Sequence, residues 1–209
     1  MRLDPKKGRE VKSNETFENA NRAAAKRLAQ DDWGRKSLSG HERDRFFLSH
    51  GGRQFTDLSL LSGADHKSDG RAAALFDYNR DGRTDIAVAS TNKPTLLLWK
   101  NELRLPRGVV AFRLIGGPGS NRDAIGARLT ARVGSRTILR ELHAGEGNAA
   151  QNSKTILVGL GDATAADSVT IRWPSGHHQE IGRAPAGMLF IVTEGDANVL
   201  TARYAPTED

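Results

Sequence analysis

The residues best suited to chemistry lie between positions 77 and 85. Oxygen-bearing side chains occupy alternate positions there, a glycine follows them, and a further aspartate closes the stretch. Hard cations such as Ca2+ take several oxygen ligands, and a tight loop turns alternate side chains inward while glycine relieves the backbone. The spacing therefore predicts a Ca2+ site. Its predicted ligands are the side chains of Asp77, Asn79, Asp81 and Asp85 and the backbone carbonyl oxygen of Arg83.

Strands, rather than helices, are predicted to position these residues. The pattern begins like an EF-hand loop, but the twelfth position counted from Asp77 is Val88, where an EF-hand needs a bidentate glutamate. Apolar residues with the character of short strands lead into the stretch at 72–76 and out of it at 85–90. We therefore predict a strand–loop–strand cation site.

A metal-free turn is the alternative explanation of the same residues. Asn79, Asp81 and Gly82 can bend the chain by themselves, and the charges of Arg80 and Arg83 would weaken cation affinity. Three clustered carboxylates nevertheless repel one another unless something neutralises them, which favours cation binding.

No other group of residues forms a recognisable catalytic motif. Glu141, His143 and Glu146 are close in sequence and could form an acid–base site, but a surface contact between strands explains them more simply. Ser153 and Ser175 lack the Gly-x-Ser-x-Gly context of a nucleophile elbow. The glycine-rich stretches at 145–148 and 159–162 have no complete nucleotide-binding fingerprint. We expect a protein that is not an enzyme.

The composition is that of a globular protein with a basic N-terminal region. The 209 residues include no cysteine, which excludes disulfides and thiolate sites, and 37% are hydrophobic. Residues 1–45 hold 12 Lys and Arg against 8 Asp and Glu, so +4 of the net charge of +6 lies there. Only 6% of the residues are aromatic and they are not interleaved with the basic ones, which disfavours nucleic acid as a partner.

A mostly β fold with one N-terminal helix is predicted. Helical periodicity is confined to about residues 15–30, and short apolar or alternating segments follow from residue 45 onward. The predicted divisions are a basic arm and helix (1–42), a β unit with the calcium loop (43–104), an antiparallel β-sandwich domain (105–202) and a tail (203–209). The predicted strands are 45–49, 54–59, 72–76, 85–90, 95–99, 109–115, 125–133, 137–142, 155–160, 168–173 and 188–193.

Two parts of the chain resemble known families. Residues 43–102 resemble an FG-GAP/VCBS-type repeat through residues 45–48, 55–59 and the acidic stretch 76–85. Residues 120–182 resemble the ASPIC/UnbV domain that follows such repeats in cartilage-acidic-protein-like sequences. The matching segments of the second resemblance are 124–128, 145–147, 151–153, 158–161 and 173–176.

The resemblance implies an exported or surface-associated interaction protein, extracellular or periplasmic, that carries Ca2+. Residues 1–7 have no hydrophobic segment behind them, so no signal peptide is visible, and no apolar run approaches the roughly 18–20 residues of a membrane span. Only one acidic loop is present, and a single repeat cannot bury both its faces. We therefore expect the repeat to lean on the C-terminal domain, on the N-terminal helix or on a partner.

The expected function is that of a calcium-stabilised scaffolding or protein-interaction module in an exported or membrane-peripheral assembly. The alternative is a binding module for an anionic polymer or carbohydrate, which would use the basic arm and the loops of the β domain. Salt-sensitive binding that depends on residues 1–36 would favour the alternative.

Overall fold

The computed structural model describes residues 42–103 and 108–204, and within them the fold is mostly β, as predicted. The predicted N-terminal helix lies outside the described residues. No helix among the described residues is long and apolar enough to cross a membrane. The elements are β1 (Phe47–His50), β2 (Gln54–Asp57), α1 (Ser59–Ser62), β3 (Gly70–Phe76), β4 (Asp85–Ser90), β5 (Leu96–Trp99), β6 (Gly108–Ile115), β7 (Arg128–Val133), β8 (Arg136–Glu141), β9 (Thr155–Gly161), β10 (Ala165–Arg172), β11 (His178–Pro185), β12 (Met188–Thr193) and β13 (Leu200–Arg203).

The predicted β unit at 43–104 forms two separate antiparallel sheets. β1 and β2 pair as a hairpin in which every residue is exposed. β3, β4 and β5 form a three-stranded sheet in that order, with β4 at the centre. The strand β4 combines β-branched and small apolar residues, and these suit a pleated strand.

The C-terminal part is a sandwich of two four-stranded sheets. One sheet has the order β11-β10-β7-β8 and the other the order β13-β12-β6-β9. The pairs are antiparallel, as predicted, except that β6 and β12 run parallel, with Phe112 opposite Phe190. The rings of these two residues stack with their centroids 5.3 Å apart.

The core of the protein lies between these two sheets. Alternation along β7 and β10 places Leu129 and Ile171 inward, where both are fully buried, while their arginine neighbours face solvent. Trp173 is also buried, and its Nε1 donates to Gln179 Oε1 at 3.0 Å. The N–H of Gly176 donates to the carbonyl of Trp173, so residues 173–176 are a core tryptophan followed by a turn.

Candidate functional site

The predicted calcium loop, residues 77–85, joins the adjacent strands β3 and β4. Phe76 lies opposite Asp85 in the antiparallel register, so the sheet closes the loop at its base. Within the loop the backbone takes positive φ at Arg80 (59°) and at Gly82 (83°). These two residues in the left-handed region reverse the chain on either side of Asp81.

Asp77 accepts hydrogen bonds from two amides of its own loop. Its Oδ1 accepts from the N–H of Asp81 at 3.1 Å, and its Oδ2 accepts from the N–H of Gly82 at 2.8 Å. Burial raises the pKa of Asp77, and the hydrogen bond from Gly82 acts in the opposite direction without cancelling the effect. The surroundings of Asp77 therefore disfavour its charged form relative to water.

Asn79, Asp81 and Arg83 form a second set of contacts inside the loop. Asn79 Nδ2 donates to Asp81 Oδ2 at 2.9 Å, and the N–H of Arg83 donates to Asp81 Oδ1 at 2.9 Å. The Arg83 guanidinium also forms an ion pair with Asp81, and its Nε donates to the carbonyl of Asn101 at 2.6 Å. Arg83 therefore supplies positive charge at the same carboxylate that a bound cation would contact.

Asp85 is fully buried and holds the two ends of the loop. Its Oδ2 accepts from the N–H of Tyr78 at 3.1 Å, and its Oδ1 accepts from the N–H of Asn101 at 2.8 Å. Both oxygens are therefore occupied by backbone donors, and the side chain joins the start of the loop to the segment after β5.

The five predicted ligands are thus in one loop, and their donor atoms are the carboxylate, amide and carbonyl oxygens that suit a hard cation. Among residues 42–103 and 108–204, however, no three acidic or histidine side chains are gathered in a metal-holding group. In the structure Asp81 is paired with Arg83, and both carboxylate oxygens of Asp85 accept backbone hydrogen bonds.

Three hydrogen bonds connect the loop and the adjoining strand β3 to the sandwich. The hydroxyl of Tyr204 donates to Asp77 Oδ2 at 3.0 Å. The N–H of Leu75 donates to Asn152 Oδ1 at 2.8 Å, and the N–H of Ser153 donates to the Leu75 carbonyl at 2.9 Å. The three-stranded sheet therefore leans on the C-terminal domain, which is one of the three possibilities raised for the lone repeat.

Tyr204 is the site residue that the sequence analysis missed. It falls in the predicted tail, 203–209, yet its N–H donates to the carbonyl of Gly187 at 2.8 Å, directly after β13. Burial raises the pKa of the Tyr204 hydroxyl, and the Asp77 carboxylate that accepts its hydrogen bond raises it further. Because Tyr204 lies 127 positions after Asp77, no local sequence pattern connects the two residues.

A cleft of about 520 Å3 lies between the loop and the sandwich. Its lining includes Glu141, His143 and Glu146, the three residues considered for acid–base chemistry, as well as Asp77 and Tyr204. Glu141 is engaged by the Nε of Arg128 at 2.7 Å. The expected absence of enzymatic activity stays a prediction.

Large apolar side chains are exposed on the sheets that precede the sandwich. Leu96 and Leu98 in β5 are 66% and 53% exposed. They lie opposite Ala89 and Ala87 of β4, so they share one face of the sheet. We define the alanine–leucine face as Ala72, Ala74, Ala87, Ala89, Leu96 and Leu98, which the strand registers place on the same side. The hairpin adds Phe47 and Phe55, both more than half exposed.

One family model matches most of the sandwich, from the segment after β6 to the segment before β13. Residues 117–199 match the model of the family described as ASPIC and UnbV, which confirms the resemblance expected for residues 120–182 and extends it at both ends. The resemblance of residues 43–102 to an FG-GAP/VCBS repeat stays a prediction. No curated protein matches the chain.

Proposed function

We propose that this chain is a non-enzymatic protein-interaction module, an accessory subunit of an exported or membrane-peripheral assembly, in which the alanine–leucine face contacts a partner protein. The observation that carries the proposal is the exposure of Leu96 and Leu98 beside small side chains. An exposed apolar surface on a sheet is typical of an interaction site, and covering one leucine side chain fully contributes about 2 kcal/mol.

Two further features support an interaction at this end of the molecule. All eight strand residues of the hairpin β1–β2 are exposed, and an isolated two-stranded hairpin is at best marginally stable in water. β5 is an edge strand of its sheet. A partner that covers the face or pairs with the edge would stabilise both elements.

We further propose that the loop at 77–85 binds Ca2+ as a structural ion. When bound, the ion supplies a divalent positive charge to Asp77, Asn79, Asp81 and the carbonyl of Arg83, with Asp85 as the fifth predicted ligand. The arrangement of the loop supports this role, because the turn at Arg80 and Gly82 holds Asp77, Asn79 and Asp81 within one short connection. The ion would fix the β3–β4 connection and, with it, the sheet that carries the alanine–leucine face.

The interaction is tested by purification under native conditions with the wild type and the double variant Leu96→Ser/Leu98→Ser. A protein recovered with the wild type should be lost or bound at least tenfold more weakly by the variant, because two anchoring side chains are removed. The matched control is Leu139→Ser, which removes an exposed leucine (56%) from β8 of the sandwich. Equal recovery with the wild type and the double variant would contradict the proposed surface.

The calcium site is tested with Asp81→Ala, using Asp162→Ala as a control for the loss of an exposed carboxylate without a described partner. Titration calorimetry should detect Ca2+ binding by the wild type and by Asp162→Ala. Asp81→Ala should lower the melting temperature much more in Ca2+ than in chelator. If Asp81→Ala lowers the melting temperature equally in Ca2+ and in chelator, the loop is a metal-free turn.

A further inference from the structure

We propose that Tyr204 couples cation binding in the 77–85 loop to the docking of the three-stranded sheet on the sandwich, an inference that rests on the proposed calcium site. In this arrangement Tyr204 is a positioning residue. It acts on the cation through Asp77, without contacting the cation itself.

The geometry assigns Tyr204 to both parts of the molecule. Its backbone N–H is bonded to Gly187, next to β12, so the residue is anchored to the sandwich. Its hydroxyl reaches Asp77 Oδ2 at 3.0 Å, so the side chain ends at the first predicted ligand of the loop. Its own side chain therefore spans the boundary between the two parts.

Tyr204 supplies the only described hydrogen bond to Asp77 from outside the loop. The other two donors are the backbone amides of Asp81 and Gly82, and both of these belong to the loop itself. The hydroxyl therefore orients the carboxylate with respect to the sandwich, in the way that hydrogen bonds from neighbouring groups orient ligands in metal sites.

The coupling must act in both directions. A cation that fixes the Asp77 carboxylate also fixes the acceptor of the Tyr204 hydroxyl, so binding favours docking. By linkage, docking must raise cation affinity by the same factor. The approach of Gly82 to Val109 of β6 adds a steric contact between the loop and the sandwich, since a Cβ at Gly82 would lie 2.5 Å from Val109 Cγ1.

Two backbone amides report docking independently of the loop. The N–H groups of Leu75 and Ser153 both donate across the boundary, and neither contacts a predicted ligand. Their hydrogen-exchange rates, measured by NMR, therefore measure how tightly the two parts are held together.

The matched control variant is Tyr78→Phe. The chain has two tyrosines, and Tyr78 lies in the same loop with its hydroxyl unbonded to the described residues. Tyr204→Phe and Tyr78→Phe each remove one hydroxyl, but only the first removes the bond to Asp77.

The experiment combines calorimetric Ca2+ titration with amide exchange in Ca2+ and in chelator, for the wild type and both variants. Tyr204→Phe should weaken Ca2+ binding about tenfold. Ca2+ should slow exchange at Leu75 and Ser153 in the wild type and in Tyr78→Phe, and this effect should be largely lost in Tyr204→Phe.

The outcomes separate the two proposals. A wild type that binds no Ca2+ overturns the calcium site together with this inference. If the wild type binds Ca2+ and Tyr204→Phe matches it in affinity and amide protection, only the coupling is overturned. Tighter binding by Tyr204→Phe would mean that the hydroxyl competes with the cation for Asp77, which also contradicts the inference.

Discussion

Leu75 donates its backbone N–H to the side-chain Oδ1 of Asn152 at 2.8 Å. β3 is an edge of its sheet, and the carbonyl of the same leucine accepts from Ser153. The segment that precedes β9 therefore satisfies backbone groups that an edge strand would otherwise leave open. Asn152 and Ser153 lie in the segment that matches the ASPIC and UnbV model, so these contacts connect that segment to the sheet that carries the loop.

Asn152→Ala should destabilise the protein by about 1–2 kcal/mol, because it leaves the Leu75 N–H without its acceptor. Denaturant unfolding measures the change. Asn148→Ala is the control, since Asn148 is exposed and forms no hydrogen bond with the described residues, and it should cost less than about 0.5 kcal/mol. Equal losses would show that the contact contributes nothing to stability.

Arg83→Ala should raise Ca2+ affinity about fivefold, because the guanidinium occupies Asp81, the carboxylate that the cation needs. Calorimetric titration measures it. Arg80→Ala removes the same charge from the same loop, but Arg80 has no described ion pair or hydrogen bond, so its effect should be smaller. A larger effect at Arg80 would mean that net charge matters and the ion pair does not.

Gly82→Ala should destabilise the protein by about 2–4 kcal/mol. At a φ of 83° the backbone of any residue with a Cβ is strained, and a Cβ at position 82 would also overlap Val109. Gly134→Ala is the control, because Gly134 also has positive φ but faces open space, and should lose about 1 kcal/mol. In a Val109→Ala background the cost of Gly82→Ala should fall toward that of the control; an unchanged cost would exclude the steric explanation.

Glu194→Gln should lower the melting temperature by a few degrees at pH 7, about 1 kcal/mol. Burial raises the pKa of Glu194, but hydrogen bonds from Ser120, Ser175 and the Gly117 N–H outweigh it, so the pKa lies below its ordinary value of 4.5.

A carboxyl with a lowered pKa stabilises the folded state above its unfolded pKa, and this contribution is lost as the pH falls through the folded pKa. The difference between the wild type and Glu194→Gln should therefore shrink as the pH falls below 4.5. Glu180→Gln, an exposed residue without a described partner, should show little difference at any pH. A constant Glu194 effect down to pH 3 would contradict the assignment.

Local pattern was sufficient to predict some elements and insufficient for others. β4 and β12 have the predicted bounds because each is a continuous run of strand-forming residues. β11 was not predicted, since Gly182 and Pro185 disfavour a strand and only pairing with β10 holds the segment extended. The four-residue helix α1 is likewise too short to produce a periodic signal.

The candidate site divides in the same way. The loop could be predicted because its residues are contiguous and their spacing is that of a cation-binding turn. Tyr204, Asn152 and Val109 could not, because each reaches the loop or its strand through the tertiary fold. The partner role of Arg83 at Asp81 was also missed, although its charge was expected to weaken affinity.

The parallel pairing of β6 with β12 constrains when the sandwich can form during synthesis. β6 is the first strand of the sandwich and lies between β9 and β12, so one of its edges stays open until residues 188–193 leave the ribosome. Pairing between such distant segments requires closing a long loop and is slow. The edge of β6 that β12 covers therefore stays unpaired while residues 116–187 are synthesised, and chaperone binding in that interval should be concentrated on that strand.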